Sequence, residues 1–105
     1  MQVQFHTDNH IEGTEAMAQW ATSTIKDSLA RFSGQITRVE AYLSDENGGK
    51  KNKPDSIQCT LEARLEGHQP LVLKHQGANL NQAIEGAIEK MDRLIDSTLG
   101  KTARV

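Results

Sequence analysis

Three side chains near the N-terminus are of types that bind metal ions. His6, Asp8 and His10 alternate along a segment predicted to be a strand, and period-two spacing would turn all three to one face. Imidazole and carboxylate groups are ligands of zinc and related divalent ions. The segment has no evident fourth ligand, and its strand character weakens by Asn9. We therefore predict no metal and no other cofactor.

The sequence contains none of the residue patterns that indicate catalysis. It has no Ser-His-Asp order, no phosphate-binding glycine loop and no carboxylate pair in an apolar setting, and Gly48-Gly49 is typical of a turn. The single Cys59 alternates with apolar residues, which predicts a buried, unreactive thiol. His68 and His75 are interpreted as surface or strand residues. We expect a protein that is not an enzyme and has no small-molecule substrate.

Length and charge restrict the class of protein. The 105 residues suffice for one two-layer core, so we predict a single domain over residues 1–105. No apolar run approaches the roughly 20 residues that a membrane span needs, and no signal-peptide pattern is present. A lone cysteine fits a reducing compartment, and we expect a cytoplasmic protein with no membrane contact. The net charge of -2 gives no overall attraction to nucleic acid, so RNA binding would need a local basic patch.

The element that organises the chain is a predicted helix over residues 79–99. Its apolar side chains recur every three or four residues and form one stripe. The stripe comprises Leu80, Ala83, Ile84, Ala87, Ile88, Met91, Leu94 and Ile95. Asn79 can cap the first turn, Gln82 can complete a capping box, and Gly100 would end the helix before a short tail over 101–105. At about 1.5 Å per residue the helix spans roughly 30 Å, so a broad apolar surface must lie beneath it.

Alternating apolar and polar residues predict four strands, over residues 2–8, 36–43, 56–66 and 71–75. Helical spacing predicts a first helix over 14–32. The order is then β-α-β-β-β-α. Short links favour antiparallel pairing of the last three strands, and two amphipathic helices would cover one face of the sheet. The predicted fold class is therefore α+β, a two-layer sandwich of a four-stranded sheet with two helices on one face.

Basic and aromatic residues outside the C-terminal helix are interpreted as surface or core residues without a binding role. The segment 45–54 combines turn-forming residues with three lysines and has no apolar residue, which predicts a solvated loop. Its lysines are more typical of solubility than of phosphate contact. Trp20 and Phe32 lie on the apolar stripe of the first helix, so we interpret them as core residues rather than as platforms for stacking bases.

The C-terminal helix and the order of elements resemble a known family. The chain is similar to the ribosome hibernation-promoting factor and ribosome-associated translation inhibitor family, also labelled sigma-factor modulation proteins. The residues that resemble the family's helix cap, its Ala-Ile-Asp/Glu step and its Lys-Leu-x-Arg pattern are Asn79-Leu80, Ala83-Ile84-Glu85, Ile88-Glu89-Lys90-Met91 and Arg93. The positions that match the end of the family's first helix and the start of its second strand are Leu29, Phe32, Ile36 and Val39. The family's fold resembles a double-stranded-RNA-binding domain.

This resemblance implies a role at the ribosome. Family members bind the small subunit near the decoding channel, where they block mRNA and tRNA and hold ribosomes idle under stress. The partner implied is therefore small-subunit rRNA. Because the chain stops just past the second helix, it resembles the short form of the family, which consists of this domain alone.

The resemblance also implies which cations would meet rRNA phosphates, since backbone charge dominates RNA affinity. The candidate nucleic-acid-binding residues are Lys90, Arg93, Lys101, Lys26, Arg31 and Arg104. Lys90 and Arg93 occupy the family's basic positions and are the first candidates. From the residues alone, these two could equally be solvated partners of Glu89 and Asp96.

The sequence departs from the family's pattern at several charged positions. Ile25 and Ser28 stand where the family tends to place basic residues, and Lys101 is the one charge retained from its lysine-rich tail. The C-terminal helix also carries four carboxylates that oppose phosphate binding, on Glu85, Glu89, Asp92 and Asp96. The alternative hypothesis is a fold relative that has lost ribosome affinity and acts through protein–protein interaction.

Overall fold

The computed structural model has the predicted order of elements, and it describes residues 1–8, 11, 13–45 and 57–103, the last three by their backbone. The elements are β1 (Gln2–Thr7), α1 (Glu15–Ser28), a 3-10 turn (Ala30–Phe32), β2 (Ile36–Asp45), β3 (Ile57–Leu65), β4 (Leu71–Gly77) and α2 (Leu80–Ala103). The loop predicted over 45–54 lies outside the described residues, except for Asp45 at the end of β2.

The four strands form one mixed sheet in the order β1-β2-β3-β4. β1 and β2 are parallel, with Val3 opposite Val39, and α1 supplies the crossover that a parallel pair requires. β3 pairs antiparallel with both neighbours, so that Leu61 lies between Ala41 of β2 and Leu73 of β4. The antiparallel pairing predicted for the last three strands is confirmed.

The core lies between the helices and one face of the sheet, as the alternation predicts. Each strand contributes every second residue to it, except across an irregularity between Ile36 and Arg38 of β2, and α2 contributes its apolar stripe. The fully buried residues of β2, β3 and α2 are Val39, Ala41, Cys59, Leu61, Ala63, Ala83, Ile84, Ala87, Met91 and Ile95. Burial of each large aliphatic side chain stabilises the fold by about 1.5–3 kcal/mol. Phe32 is only 6% exposed and Trp20 packs partly buried against the same cluster, which confirms their interpretation as core residues.

α1 is shorter than predicted. Thr14 caps its N-terminus, because its hydroxyl accepts a hydrogen bond of 3.1 Å from the backbone N–H three residues on. The helix ends at Ser28 instead of Phe32, since Leu29 has left the α-helical region with φ -105° and ψ 16°. A separate 3-10 turn follows, and Arg31 belongs to this turn rather than to α1.

α2 is longer than predicted at its C-terminus. The prediction that Gly100 ends the helix is wrong, because the helix continues to Ala103. Glycine commonly ends a helix by adopting a positive φ, and among the described residues only Gly67 has one. Lys101 is therefore helical, and only Arg104 and Val105 of the predicted tail lie beyond the described residues. No helix in the described part of the chain has a stretch long and apolar enough to span a bilayer.

Candidate nucleic-acid interface

The junction of β4 and α2 fixes the helix that carries the first candidates. Asn79 Oδ1 accepts a hydrogen bond of 2.9 Å from the N–H of Gln82, and Gln82 Oε1 accepts one of 3.2 Å from the N–H of Ala78. Both side chains thus cap the helix as predicted. Gly77 is buried at the end of β4, where an added Cβ would lie only 2.6 Å from the backbone nitrogen of Ala83. A glycine at this position therefore lets the start of α2 lie close to the end of β4.

The apolar stripe of α2 packs on β3 and β4, so its opposite side faces outward. Lys90 and Arg93 are both exposed there, three residues apart. Lys90 follows Gly86 by one turn, and Gly86 contacts the imidazole of His75 on β4. Lys90 therefore lies on the β4 side of the helix. It forms no ion pair within the described part of the chain.

The carboxylates of α2 lie on the side turned to α1. A groove between the two helices, here called the acidic groove, is lined by Thr24, Ser28, Glu85, Ile88, Glu89 and Asp92. At about 100° per residue, Asp92 lies about 200° around the helix from Lys90. The opposing carboxylates identified in the sequence are thus largely segregated from Lys90, and α2 has an acidic side and a basic side.

Arg93 lies between these sides and pairs with a carboxylate of its own helix. Its Nη2 atom is 2.6 Å from Oε1 of Glu89, and the two side chains are 75% and 66% exposed. An exposed pair at this i,i+4 spacing contributes only about 0.3–0.5 kcal/mol. The guanidinium can therefore exchange the carboxylate for a phosphate at little cost in stability.

Arg31 has more partners than Arg93 has. Its Nη2 atom lies 3.1 Å from Oδ2 of Asp92, its Nη1 atom lies 3.7 Å from Oδ1 of Asp96, and its guanidinium carbon lies 4.3 Å from the ring centroid of Phe32. Asp96 thus pairs with Arg31 rather than with Arg93. Two carboxylates neutralise this arginine, which makes it the least available of the candidate cations with described side chains.

The remaining candidates are not gathered around Lys90 and Arg93. Lys26 is exposed in the last turn of α1 and has no ion pair among the described residues. Lys101 lies on the helical backbone near the end of α2, and Arg104 lies outside the described residues. The structure therefore brings Lys90 and Arg93 together on one helix and leaves Lys26 and Arg31 on the other side of the acidic groove.

Sequence reasoning missed a second group of basic and aromatic residues, on the face of the sheet opposite the helices. This surface is here called the open face and is defined by His6, Arg38, Tyr42, Arg64 and Lys74. Arg38 and Arg64 are direct partners across β2 and β3. The rings of His6 and Tyr42 stack with centroids 4.8 Å apart and an interplanar angle of 16°. The alternation did assign most of these residues to the solvent face, but strand pairing was needed to bring them together.

One hydrogen bond on the open face perturbs two acid–base groups. The Tyr42 hydroxyl donates to Oε2 of Glu40 at 2.9 Å. This bond, assisted by the positive charge of Arg38, holds the pKa of the Glu40 carboxyl below its ordinary value, against a smaller effect of burial. The same bond raises the pKa of the Tyr42 phenol, because it stabilises the protonated form.

The residues considered for a metal site have other contacts. His6 stacks on Tyr42, and Asp8 Oδ2 accepts a hydrogen bond of 3.1 Å from the N–H of Asp45. His10 lies outside the described residues, and the described ones contain no cluster of three metal-binding side chains. Cys59 is fully buried, and burial raises the pKa of its thiol to about 12.

Comparisons with known proteins extend over nearly the whole chain. A family model described as sigma 54 modulation protein / S30EA ribosomal protein matches residues 3–102. The solved N-terminal domain of Protein Y from Thermus thermophilus has a TM-score of 0.66 at 18% identity, covering 93% of this chain and 99% of that one. A ribosomal subunit interface protein from Coxiella burnetii has a TM-score of 0.70 at 11% identity, covering 95% and 99%. A search of curated protein sequences gave no significant match. At these identities the two structures show the shared α+β fold.

Proposed function

Because the chain belongs to the sigma 54 modulation protein / S30EA ribosomal protein family, we propose that it binds small-subunit rRNA near the decoding channel. Occupying that channel would inhibit translation and keep ribosomes idle under stress, in the cytoplasm. The observation that carries the proposal is the family match over residues 3–102. The folds shared with the Protein Y domain and the subunit interface protein support it. The role requires binding rather than catalysis.

Lys90 and Arg93 are the cations that we propose to meet rRNA phosphates first. Lys90 is exposed, has no ion pair among the described residues and faces away from the acidic groove. Arg93 has only an exposed partner in Glu89, which a phosphate can replace. Lys101, Lys26 and Arg104 supply secondary contacts, with Arg31 the weakest candidate because Asp92 and Asp96 already neutralise it.

Co-sedimentation with purified small ribosomal subunits at low and moderate salt tests the proposal. The wild-type protein is expected to sediment with the subunit and to be released as salt rises, because cation–phosphate contacts displace counterions. Replacing Lys90 and Arg93 together by Ala should weaken binding by roughly tenfold or more at moderate salt and flatten its salt dependence.

The matched control exchanges the two side chains while keeping both charges. A Lys90→Arg, Arg93→Lys variant should bind nearly as well as the wild type, and circular dichroism should be unchanged in both variants. Failure of the wild type to sediment with subunits at either salt would defeat the proposal. Equal binding by the double alanine variant would defeat the assignment of these two residues.

A second candidate function rests on the acidic groove. Glu85, Glu89 and Asp92 line a concave surface that repels phosphate and favours a basic partner. A relative that kept the fold and lost ribosome affinity would act through protein–protein contacts of this kind. Absence of subunit binding, together with binding of a basic protein that is lost on replacing Glu85 and Glu89 by Gln, would favour this function over the first.

A further inference from the structure

The open face carries features that the proposed role of α2 does not use. Both helices pack on the other face of the sheet, and the described residues of this face are mostly polar or charged. Tyr42 is nevertheless 43% exposed and Val72 is 53% exposed, the large apolar side chains with the greatest exposure in the described part of the chain. A surface that leaves an aromatic ring in solvent between cations is suited to a ligand with both rings and negative charge.

The aromatic part of this surface is a preformed stack. His6 of β1 and Tyr42 of β2 are neighbours in the parallel register, and their rings are nearly parallel at 4.8 Å. β1 is an edge strand of the sheet, so none of the described strands covers the His6 side of the stack. A third flat ring, such as a nucleobase, can extend it.

The cationic part comes from three strands. Arg38 and Arg64 are opposite each other, and each guanidinium lies beside a carboxylate two residues away on its own strand, on Glu40 and Glu62. The Arg64 side chain is still 49% exposed, so a ligand can reach it. The Nε atom of Arg38 is buried without a hydrogen-bond partner among the described residues, its nearest carboxylate oxygen being 3.9 Å away on Glu40. Lys74 is exposed on β4 in the same row as Tyr42, separated from it by Thr60.

Two carboxylates of the strands lie beside the cations of this face. The Glu40 carboxylate accepts a hydrogen bond from the Tyr42 hydroxyl, and Oε1 of Glu62 lies 3.6 Å from Nε of Arg64. Within the four strands, this face carries three cations and these two carboxylates, and the exposed Glu66 follows directly after β3. Arg38 lies four residues before Tyr42, about 13 Å along β2 at about 3.3 Å per residue. The arginine pair and the aromatic stack are therefore separated by a distance that an extended nucleotide chain can span.

We propose that the open face binds single-stranded RNA, with a base stacked on the His6–Tyr42 pair and phosphates at Arg38, Arg64 and Lys74. The inference rests on the proposed function for the class of ligand, and it adds a second RNA-binding surface on the side of the sheet away from α2. A duplex is a poor ligand for this surface, because its bases are already stacked and paired.

Binding of a short fluorescein-labelled single-stranded RNA, measured by anisotropy, tests this inference without the ribosome. Tyr42→Leu should weaken binding by about tenfold, as expected for loss of one base–aromatic stack, whereas Tyr42→Phe keeps a ring and should bind as the wild type does. Arg64→Gln should weaken binding severalfold and flatten its salt dependence. Gln19→Ala, at an exposed and uncharged position of α1, is the control and should have little effect. Equal affinity of the Leu and Phe variants, equal affinity for duplex RNA, or no binding by the wild type would overturn the inference.

Photocrosslinking from position 42 separates the classes of partner. With Tyr42 replaced by p-benzoylphenylalanine and small subunits added, a crosslink to rRNA supports the inference. A crosslink only to a ribosomal protein or to a second copy of the chain overturns it. If free RNA binding depends on Tyr42 while subunit co-sedimentation fails, the proposed function is wrong and RNA binding by the open face is supported. If co-sedimentation depends on Lys90 and Arg93 while Tyr42→Leu binds free RNA normally, the proposed function is supported and the inference about the open face is wrong.

Discussion

Arg31 of the 3-10 turn holds Asp92 of α2 through Nη2, 3.1 Å from Oδ2, although the two residues are 61 positions apart in sequence. The side chains are 57% and 33% exposed, so solvent screens most of their attraction. In a double-mutant cycle with Arg31→Gln and Asp92→Asn, urea unfolding should give a coupling energy of about 0.5–1 kcal/mol that falls as salt rises. A coupling that high salt does not reduce would contradict a mainly electrostatic link.

Removing the partner of Arg93 should strengthen binding to the small subunit. Glu89→Gln eliminates a carboxylate 2.6 Å from the guanidinium and leaves that cation free for phosphate. We expect subunit affinity to rise by severalfold and its salt dependence to become steeper. Glu66→Gln removes one negative charge from the exposed turn after β3 and is the matched control, for which co-sedimentation should change little. Equal gains in both variants would indicate that only net charge matters.

The strands were predictable because each has one buried face. In β3, Cys59, Leu61 and Ala63 alternate with polar residues, and all three are fully buried. Helix ends were less predictable. Gly100 can terminate a helix or continue one, and the sequence around it does not determine which φ it adopts. The family likeness drawn from residues of α2 is confirmed by the match over residues 3–102.

The candidate site was predictable only where its contacts are local. The pairing of Glu89 with Arg93 follows from their i,i+4 spacing on one helix. The pairing of Arg31 with Asp92 depends on how α2 packs beside the 3-10 turn, which spacing does not reveal. The stack of His6 on Tyr42 likewise requires the parallel register of two strands that are separated by a helix.

The hydrogen bond from Tyr42 to Glu40 should make stability depend on pH at both extremes. The pKa of Glu40 is lowered from 4.5, so the bond stabilises the fold above that pH and its contribution is lost as pH falls through the lowered pKa. The pKa of Tyr42 is raised from 10.0, so the contribution is present below pH 10 and is lost as pH rises through the raised pKa. The wild type should therefore be more stable than Tyr42→Phe at neutral pH. The difference in free energy of unfolding should shrink at acidic and at alkaline pH.

Two measurements check this pH dependence. Urea unfolding of the wild type and of Tyr42→Phe at acidic, neutral and alkaline pH gives the difference in stability. Tyr42 is the one tyrosine of the chain, so ultraviolet titration of tyrosinate reports its pKa directly. A pKa at or below 10.0, or a stability difference that does not vary with pH, would count against the bond.

Cys59 should be inert in the folded protein. Its side chain is fully buried and the pKa of its thiol is about 12, so little thiolate is present and no reagent can reach it. In native buffer a disulfide reagent should react at least about a thousandfold more slowly than in denaturant, at a rate set by transient opening of the fold. As the chain has one cysteine, the reaction needs no correction for other thiols. Comparable rates in the two conditions would contradict the burial.

The contact between His75 and Gly86 should make the effect of a helix substitution depend on a residue of the sheet. A Cβ added at Gly86 would overlap the imidazole of His75, which rests on the helix at that point. Gly to Ala within a helix normally stabilises by about 1 kcal/mol, but in the wild type the ring must first move away. In a His75→Ala background the obstacle is absent, so Gly86→Ala should give the full gain there and a smaller gain or a loss in the wild type. Thermal and urea unfolding of the four proteins measures the coupling. The control is Gly100→Ala, at an exposed helical position where an added Cβ meets nothing within 4 Å. The effect of this substitution should not depend on His75. Additive effects of the His75 and Gly86 substitutions would show that the ring does not pack on the helix.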